Sequence, residues 1–268
     1  MVRTIAVLAC LLFAVPALAA PCGNTSAGFD KWKAAFINEV SRKGVSRATA
    51  ERVLGPVTYS RRVIRLDRDQ GSFKLPFETF YAKRVGAYSL KLGRQHLRNK
   101  RTLFAQLERR YGVPGPVLVS VWGLESAYGR YLGNLPIVQS LATLAYDCRR
   151  SRFFTRELIA ALKIIDRGLM RESDMVGAWA GEIGQTQFLA QRYLDAAVDY
   201  DRNGRADLVR SVPDVLASTA NWFAKNGWRR GQPWGPGTAN FRVIKKWNKA
   251  SVYQKTIARF AQELAGSS

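Results

Sequence analysis

Apolar side chains recur at intervals of three and four residues through most of the chain, the periodicity of helices that bury one face. From Asp30 to Lys43, Trp32, Phe36, Ile37 and Val40 share a stripe while Lys31, Lys33 and Arg42 lie opposite, which predicts an amphipathic helix. Ser46 is placed to cap a second, short helix that ends before Gly55-Pro56. Residues 56–77 mix Pro, Gly and charge without a period and predict an extended connection. Leu97, Phe104, Leu107 and Tyr111 form another stripe, and Pro114 and Pro116 mark the start of a helix running to Gly129. Ser151 opens a helix with Phe154, Leu158, Leu162 and Ile165 inward; a last pair covers Val212 to Lys225 and Ser251 to Leu264. No linker, repeat or low-complexity tract divides these elements. The pattern predicts a mainly α single domain with a smaller N-terminal helical lobe.

The first 20 residues break the pattern. A lone Arg3 precedes an apolar stretch, Pro16 and then Ala17-Leu18-Ala19. This is the form of a secretory signal peptide over 1–19, which leaves 20–268 as the folded domain. An uncleaved membrane anchor is the alternative; a lipoprotein fits less well, because Pro21 precedes Cys22. Export changes how the cysteines read. Cys10 leaves with the leader, and Cys22 and Cys148 remain as an even pair in an oxidising compartment. A bridge between them would close a long loop and contribute about 2–5 kcal/mol; two unpaired thiols are the alternative.

Charge and composition narrow the partners. A 47% hydrophobic content excludes a disordered chain, and His96, the single histidine, excludes a multi-His metal centre. The formal net charge of +22, one less without Arg3, calls for an anionic partner: nucleic acid, anionic lipid or an acidic wall polymer. Export and the absence of helix-turn-helix, RRM or zinc spacing argue against nucleic acid.

Glu125 is the most informative side chain. Leu118 and Val121 lie seven and four residues before it, so all three share the apolar face of one helix. A carboxylate there loses hydration and its pKa rises, as a general acid requires. A rim carboxylate paired with a neighbouring Arg carries equal weight on spacing alone. Residues 199–207, DYDRNGRAD, place oxygens at loop positions one, three, five and nine with Gly204 at six, the opening of a calcium loop. Position twelve is Arg210 where Glu is expected, so a polar turn held by its own side chains is an equal alternative.

The segment VPGPVLVSVWGLESAYGRYLGNLPIVQSLATLAYDCRRSRFF resembles the lytic murein transglycosylase B family. So do GAWAGEIGQTQF (177–188), VDYDRNGRADLVRSVPD (198–214), TANWFAKNGW (219–228) and WNKASVY (247–253), in the same order. The resemblance spans about Phe29 to Leu264. It implies a lysozyme-like fold in which Glu125 is the only catalytic carboxylate. That residue would act as acid and then base on the MurNAc–GlcNAc bond of peptidoglycan, closing a 1,6-anhydro ring without water.

By motif position the resemblance further implies Tyr81, Arg149, Arg150, Gln187, Trp222, Trp247, Asn248 and Tyr253 as substrate-binding residues. Relatives also close a longer loop with a later Asp. Asp199, Asp201, Asn203, the Arg205 carbonyl and Asp214 would then be the ligands of a structural calcium, with no cofactor in the chemistry. Two departures stand out. Ala178 lacks a hydroxyl that some relatives place near the acid, and Trp222 and Trp247 replace tyrosines, so they stack but bring no phenol. Hydrolysis with Glu182 or Asp147 as a second carboxylate is the alternative chemistry, and an inactive wall-binding protein the alternative function. The expected setting is a periplasmic monomer on glycan strands, with cell-wall machinery proteins as candidate partners. No wall-binding module is evident after the last helix, so targeting is expected to come from the catalytic domain or from a partner.

Overall fold

The structure, a computed structural model, describes residues 21–69 and 74–266. The segment read as a signal peptide lies outside them. Two helices open the chain: α1 (Phe29–Ser41) and α2 (Arg47–Leu54), the latter capped by Ser46, whose Oγ accepts the Thr49 N–H. Of its expected stripe α1 buries Trp32, Phe36 and Val40 and leaves Ile37 half-buried, with Phe29 added to the buried face; α2 buries Ala50, Val53 and Leu54. They rest on α8 (Ile137–Tyr146) and α9 (Ser151–Asp166), and together with α3 (Arg61–Arg68) form the smaller N-terminal lobe. Cys22 and Cys148 are joined by a disulfide that fastens this lobe to the loop between α8 and α9.

The extended connection expected over 56–77 is instead interrupted by α3, capped by Ser60. Its inward side carries only Val63 and Asp67, so an apolar period never develops. Asp67, 2% exposed, is held by Arg149, Arg150 and Arg68, and Arg68 also reaches Asp147 at 2.7 Å. Burial would raise the Asp67 pKa, but hydrogen bonds from Arg149 and Arg150 outweigh it and hold the carboxyl below its usual range.

The larger part of the molecule surrounds α7 (Gly115–Ser126). Around it pack α13 (Ser251–Ala265), α5 (Ala87–Asn99), α6 (Arg101–Tyr111) and α11 (Val212–Lys225). Val117, Leu118, Val119, Val121 and Trp122 are all buried in that shell. Gly93 lets α5 approach: a Cβ there would stand 2.8 Å from the Tyr128 hydroxyl and 2.9 Å from Leu264. The single stripe read over 97–111 belongs to two helices, because the backbone leaves the helical region at Lys100 (φ −116°, ψ 27°).

Four more helices stand where the sequence reading places no element: α4 (Phe77–Arg84), α8, α10 (Ala190–Ala196) and α12 (Ala239–Trp247), the last of which does bury one stripe, Phe241, Ile244 and Trp247. Nine of the ten residues of α8 are buried, so it offers no polar face for a period to reveal. A two-residue antiparallel pair, β1 (Leu135–Pro136) with β2 (Val176–Gly177), ties the loops before α8 and after α9. Among the described residues no helix is long and apolar enough to cross a membrane.

Candidate active site

Glu125 is the penultimate residue of α7, and the chain turns sharply straight after it. Ala127 and Tyr128 adopt left-handed φ values of 49° and 64°, and the Ser126 hydroxyl secures the turn by donating to the Gln185 carbonyl and accepting the Gly129 N–H. The carboxyl therefore stands at the carbonyl end of a buried helix, facing a cleft of about 550 Å³. The Trp247 indole N–H donates to Glu125 Oε1 at 2.7 Å, and the Tyr253 hydroxyl also hydrogen-bonds the carboxyl. Burial pushes the Glu125 pKa up to about 7; the bonds from Trp247 and Tyr253 and the charge of Arg192 oppose the rise, while Glu182 adds to it. The helix terminus acts in the same sense as burial, since its carbonyls disfavour an anion. At neutral pH the group thus divides between acid and base. Indole can only donate, so Oε1 stays an acceptor in both states and the mobile proton is directed to the other carboxyl oxygen.

Arg192, on α10, gave no signal in the sequence. Its guanidinium lies 4.2 Å from the Trp247 ring centroid and 4.6 Å from that of Trp222, and its Nη2 donates to the Trp247 carbonyl at 3.2 Å. Burial lowers the Arg192 pKa to about 10 against the opposing charges of Glu125 and Glu157. Even so it remains a cation at neutral pH. Glu182, the one other carboxylate lining the cleft among the described residues, accepts the Ala180 N–H at 3.0 Å, and burial raises its pKa.

The structure gathers some of the expected residues and separates others. Glu125, Arg150, Gln187, Trp247, Asn248 and Tyr253 line the cleft. The Gln187 amide nitrogen is committed to the Gly184 carbonyl, which leaves its oxygen for a ligand. In Asn248 the roles reverse, because its Oδ1 accepts the Ala250 N–H. Trp222 does not line the cleft as expected: it is 8% exposed and packs edge-on against Trp247, behind Arg192. Tyr81, 6% exposed, is likewise displaced, with the Arg259 guanidinium over its ring and its hydroxyl toward Glu263. Helix α4 presents Arg84 to the cleft in its place.

Arg149 belongs to the Asp67 cluster and lines a neighbouring basic hollow with Arg150, Arg152 and Arg156. Asp147, offered above as a second catalytic carboxylate, is instead buried and paired with Arg68. The replacement of tyrosine by Trp247 costs the acid no donor, since the indole N–H fills that role.

In the 199–207 loop, one carboxylate oxygen each from Asp199, Asp201 and Asp214 lies within 4.8 Å of the others. Asp214, fully buried, accepts the N–H groups of Tyr200, Asp201 and Asp207. Asp199 accepts from Asn203 and Gly204, and the Asn203 side chain accepts from Arg205. Three convergent carboxylates are suitable donors for a hard cation, although the same groups also hold the turn by themselves.

A family model described as the transglycosylase SLT domain matches residues 28–239. The membrane-bound lytic murein transglycosylase B of Escherichia coli is 34% identical over 122 residues, which are 45% of this chain and 34% of that protein. The chain thus aligns with about a third of that relative's length. Among solved structures, SltB3 from Pseudomonas aeruginosa in complex with NAG-NAM-pentapeptide superposes with a TM-score of 0.81 at 30% identity, over 89% of this chain and 80% of that one. Slt35 of Escherichia coli in complex with calcium has a TM-score of 0.77 at 21% identity, covering 94% and 99% of the two chains; this likeness is one of fold.

Proposed function

The chain belongs to the transglycosylase SLT domain family, and from that premise we propose that it cleaves the MurNAc–GlcNAc bond of peptidoglycan without water. The observation that carries this reading is Glu125, a carboxyl with a pKa of about 7 held by Trp247 and Tyr253 in a cleft of about 550 Å³. Protonated Glu125 donates to the glycosidic oxygen as the C1–O bond breaks. The muramoyl C6 oxygen then bonds to C1, and its proton passes to the Glu125 carboxylate, which restores the acid. The product is a 1,6-anhydromuramyl end. Glu182, tethered to backbone N–H groups, is not needed in this sequence. Hydrolysis would call for a second carboxylate able to activate water or attack the sugar.

Digestion of purified sacculi followed by mass spectrometry tests the proposal. Anhydromuramyl ends are expected; reducing muramic acid ends would show hydrolysis and overturn the mechanism. Glu125→Gln should lower turnover by about 10²–10⁴-fold while leaving sacculus binding intact, a result an inactive wall-binding protein could not give.

Several finer features accompany this reading. Export through a leader over 1–19 would place residues 20–268 in the periplasm as one catalytic domain, where the positive charge favours retention on muramyl and peptide carboxylates. Gln187, Asn248, Arg150 and Arg84 would contact the glycan or its peptide. Asp199, Asp201 and Asp214, with Asn203 and the Arg205 carbonyl, would hold calcium in a structural role, and the likeness to a calcium-bound structure supports that assignment. Addition of calcium should then raise the melting temperature without changing kcat, as measured by calorimetry with and without a chelator.

A further inference from the structure

We propose that Arg192 is a positioning residue for the acid: packed against both Trp222 and Trp247, it holds the Trp247 N–H on Glu125 and supplies the positive charge against which Glu125 ionises. The proposal rests on the reading of Glu125 as the catalytic acid, and Arg192 acts on it at one remove.

The geometry has three parts. Trp222 and Trp247 meet edge to face at 5.0 Å, and the Arg192 guanidinium lies within cation–π range of both rings, and of Phe188 at 5.7 Å. The Nη2 bond to the Trp247 carbonyl fixes the backbone at the end of α12, and stacking of Trp247 on Phe223 at 5.3 Å fixes its ring. The same indole reaches Glu125 Oε1 on its other side. Trp222, which cannot meet a sugar from behind this wall, thereby has a use: it is the second ring against which Arg192 packs.

Charge completes the arrangement. A buried guanidinium needs a counter-ion, and two carboxylates supply opposing charge: Glu125 from α7 and Glu157 from α9. Glu157, 5% exposed, accepts the Gln191 N–H at 2.9 Å, one residue before Arg192. Arg156 and Asp195 act on Glu157 in turn, with opposite signs. Besides Arg192, Glu125 faces Glu182 and Tyr253, while Arg84, Arg150 and Lys249 line the same cleft. Arg192 is the cation whose charge bears most on Glu125, and it opposes the rise caused by burial. The two carboxylates therefore compete for one positive charge, and Glu157 limits how far Arg192 can acidify Glu125.

Titration of the Glu125 carboxyl by ¹³C NMR, without substrate, tests this directly. Arg192→Met should move the Glu125 midpoint up by about one pH unit, because the ion favouring the charged form is gone. Arg192→Lys should leave it near the wild-type value while lowering kcat, since it keeps the charge but loses the planar fork. Glu157→Gln should move the midpoint down, the opposite direction, by freeing Arg192 from its other partner. The descending limb of the pH profile of kcat/KM should follow each shift.

An unmoved midpoint in Arg192→Met, or equal shifts in the Met and Lys variants, would overturn the proposal. Should Arg192→Met not fold, the downward shift in Glu157→Gln decides alone, and its absence refutes the coupling. The titration reports on Arg192 whatever the substrate proves to be, whereas the product analysis above tests the substrate reading separately.

Discussion

Glu125 costs the fold something that the proposed reaction needs. Its pKa is raised from 4.5 to about 7, so the folded protein holds this proton more tightly than the unfolded chain. Stability contributed at this site is fully present below the unfolded value and is lost as pH rises through the folded one. Glu125→Gln should consequently be more stable than the wild type at pH 8, on the order of 1–3 kcal/mol, and equal to it near pH 4 by urea denaturation. Equal stability at both values would place Glu125 in a less desolvated setting. For turnover the sign is the same: the acid form disappears above about pH 7, so kcat/KM should fall tenfold for each pH unit beyond it. At this scale the sequence was partly legible. Spacing put Glu125 on the apolar side of a helix, but no local pattern could show that Arg192 packs against two tryptophans, because its partners lie 30 and 55 residues further along the chain.

Elements with one apolar stripe could be read from periodicity: α9 buries Phe154, Leu158, Leu162 and Ile165 as nominated, α1 buries Trp32, Phe36 and Val40 with Ile37 half-buried, and α11 and α13 lie over the ranges expected of them. Elements at the two extremes could not. The buried helix α8 has no polar side, and α3 buries only Val63 and Asp67, with Ile64 half-buried against the core. What fixes α3 is a polar anchor, Asp67 among Arg68, Arg149 and Arg150, which no hydrophobic pattern encodes. Since the Asp67 pKa is lowered, its stabilisation is present above the unfolded carboxylate value and is lost as pH falls through the folded one. Asp67→Asn should therefore cost on the order of 1–3 kcal/mol at pH 7, discounted because the three arginines are partly solvated. The penalty should fade in acid, as followed by thermal melts from pH 7 to pH 3. Arg150 belongs both to this cluster and to the cleft, so the same variant should also raise KM more than it lowers kcat.

Across the whole molecule, the Glu125 site is built from distant parts of the chain: α7 supplies the carboxyl, α10 its cation, and α12 and α13 its donors. Arg84, Arg150 and Lys249 add positive charge along the same cleft. Sacculus binding should accordingly weaken as salt rises from 50 to 500 mM, where screening shortens to a few ångströms, in a pelleting assay with the Glu125→Gln protein. Affinity indifferent to salt would mean that the cleft alone retains the wall. The Cys22–Cys148 bridge has a consequence in time. In an exported chain, Cys22 is among the first residues to reach the oxidising side, while its partner follows 126 positions later. Phe29 and Trp32 must likewise wait for Tyr146, the ring against which they pack. If the chain is exported as proposed, the N-terminal lobe is the first part to arrive and among the last to be locked. A thiol trap applied during translocation should capture Cys22 until α8 has emerged, and find it protected thereafter.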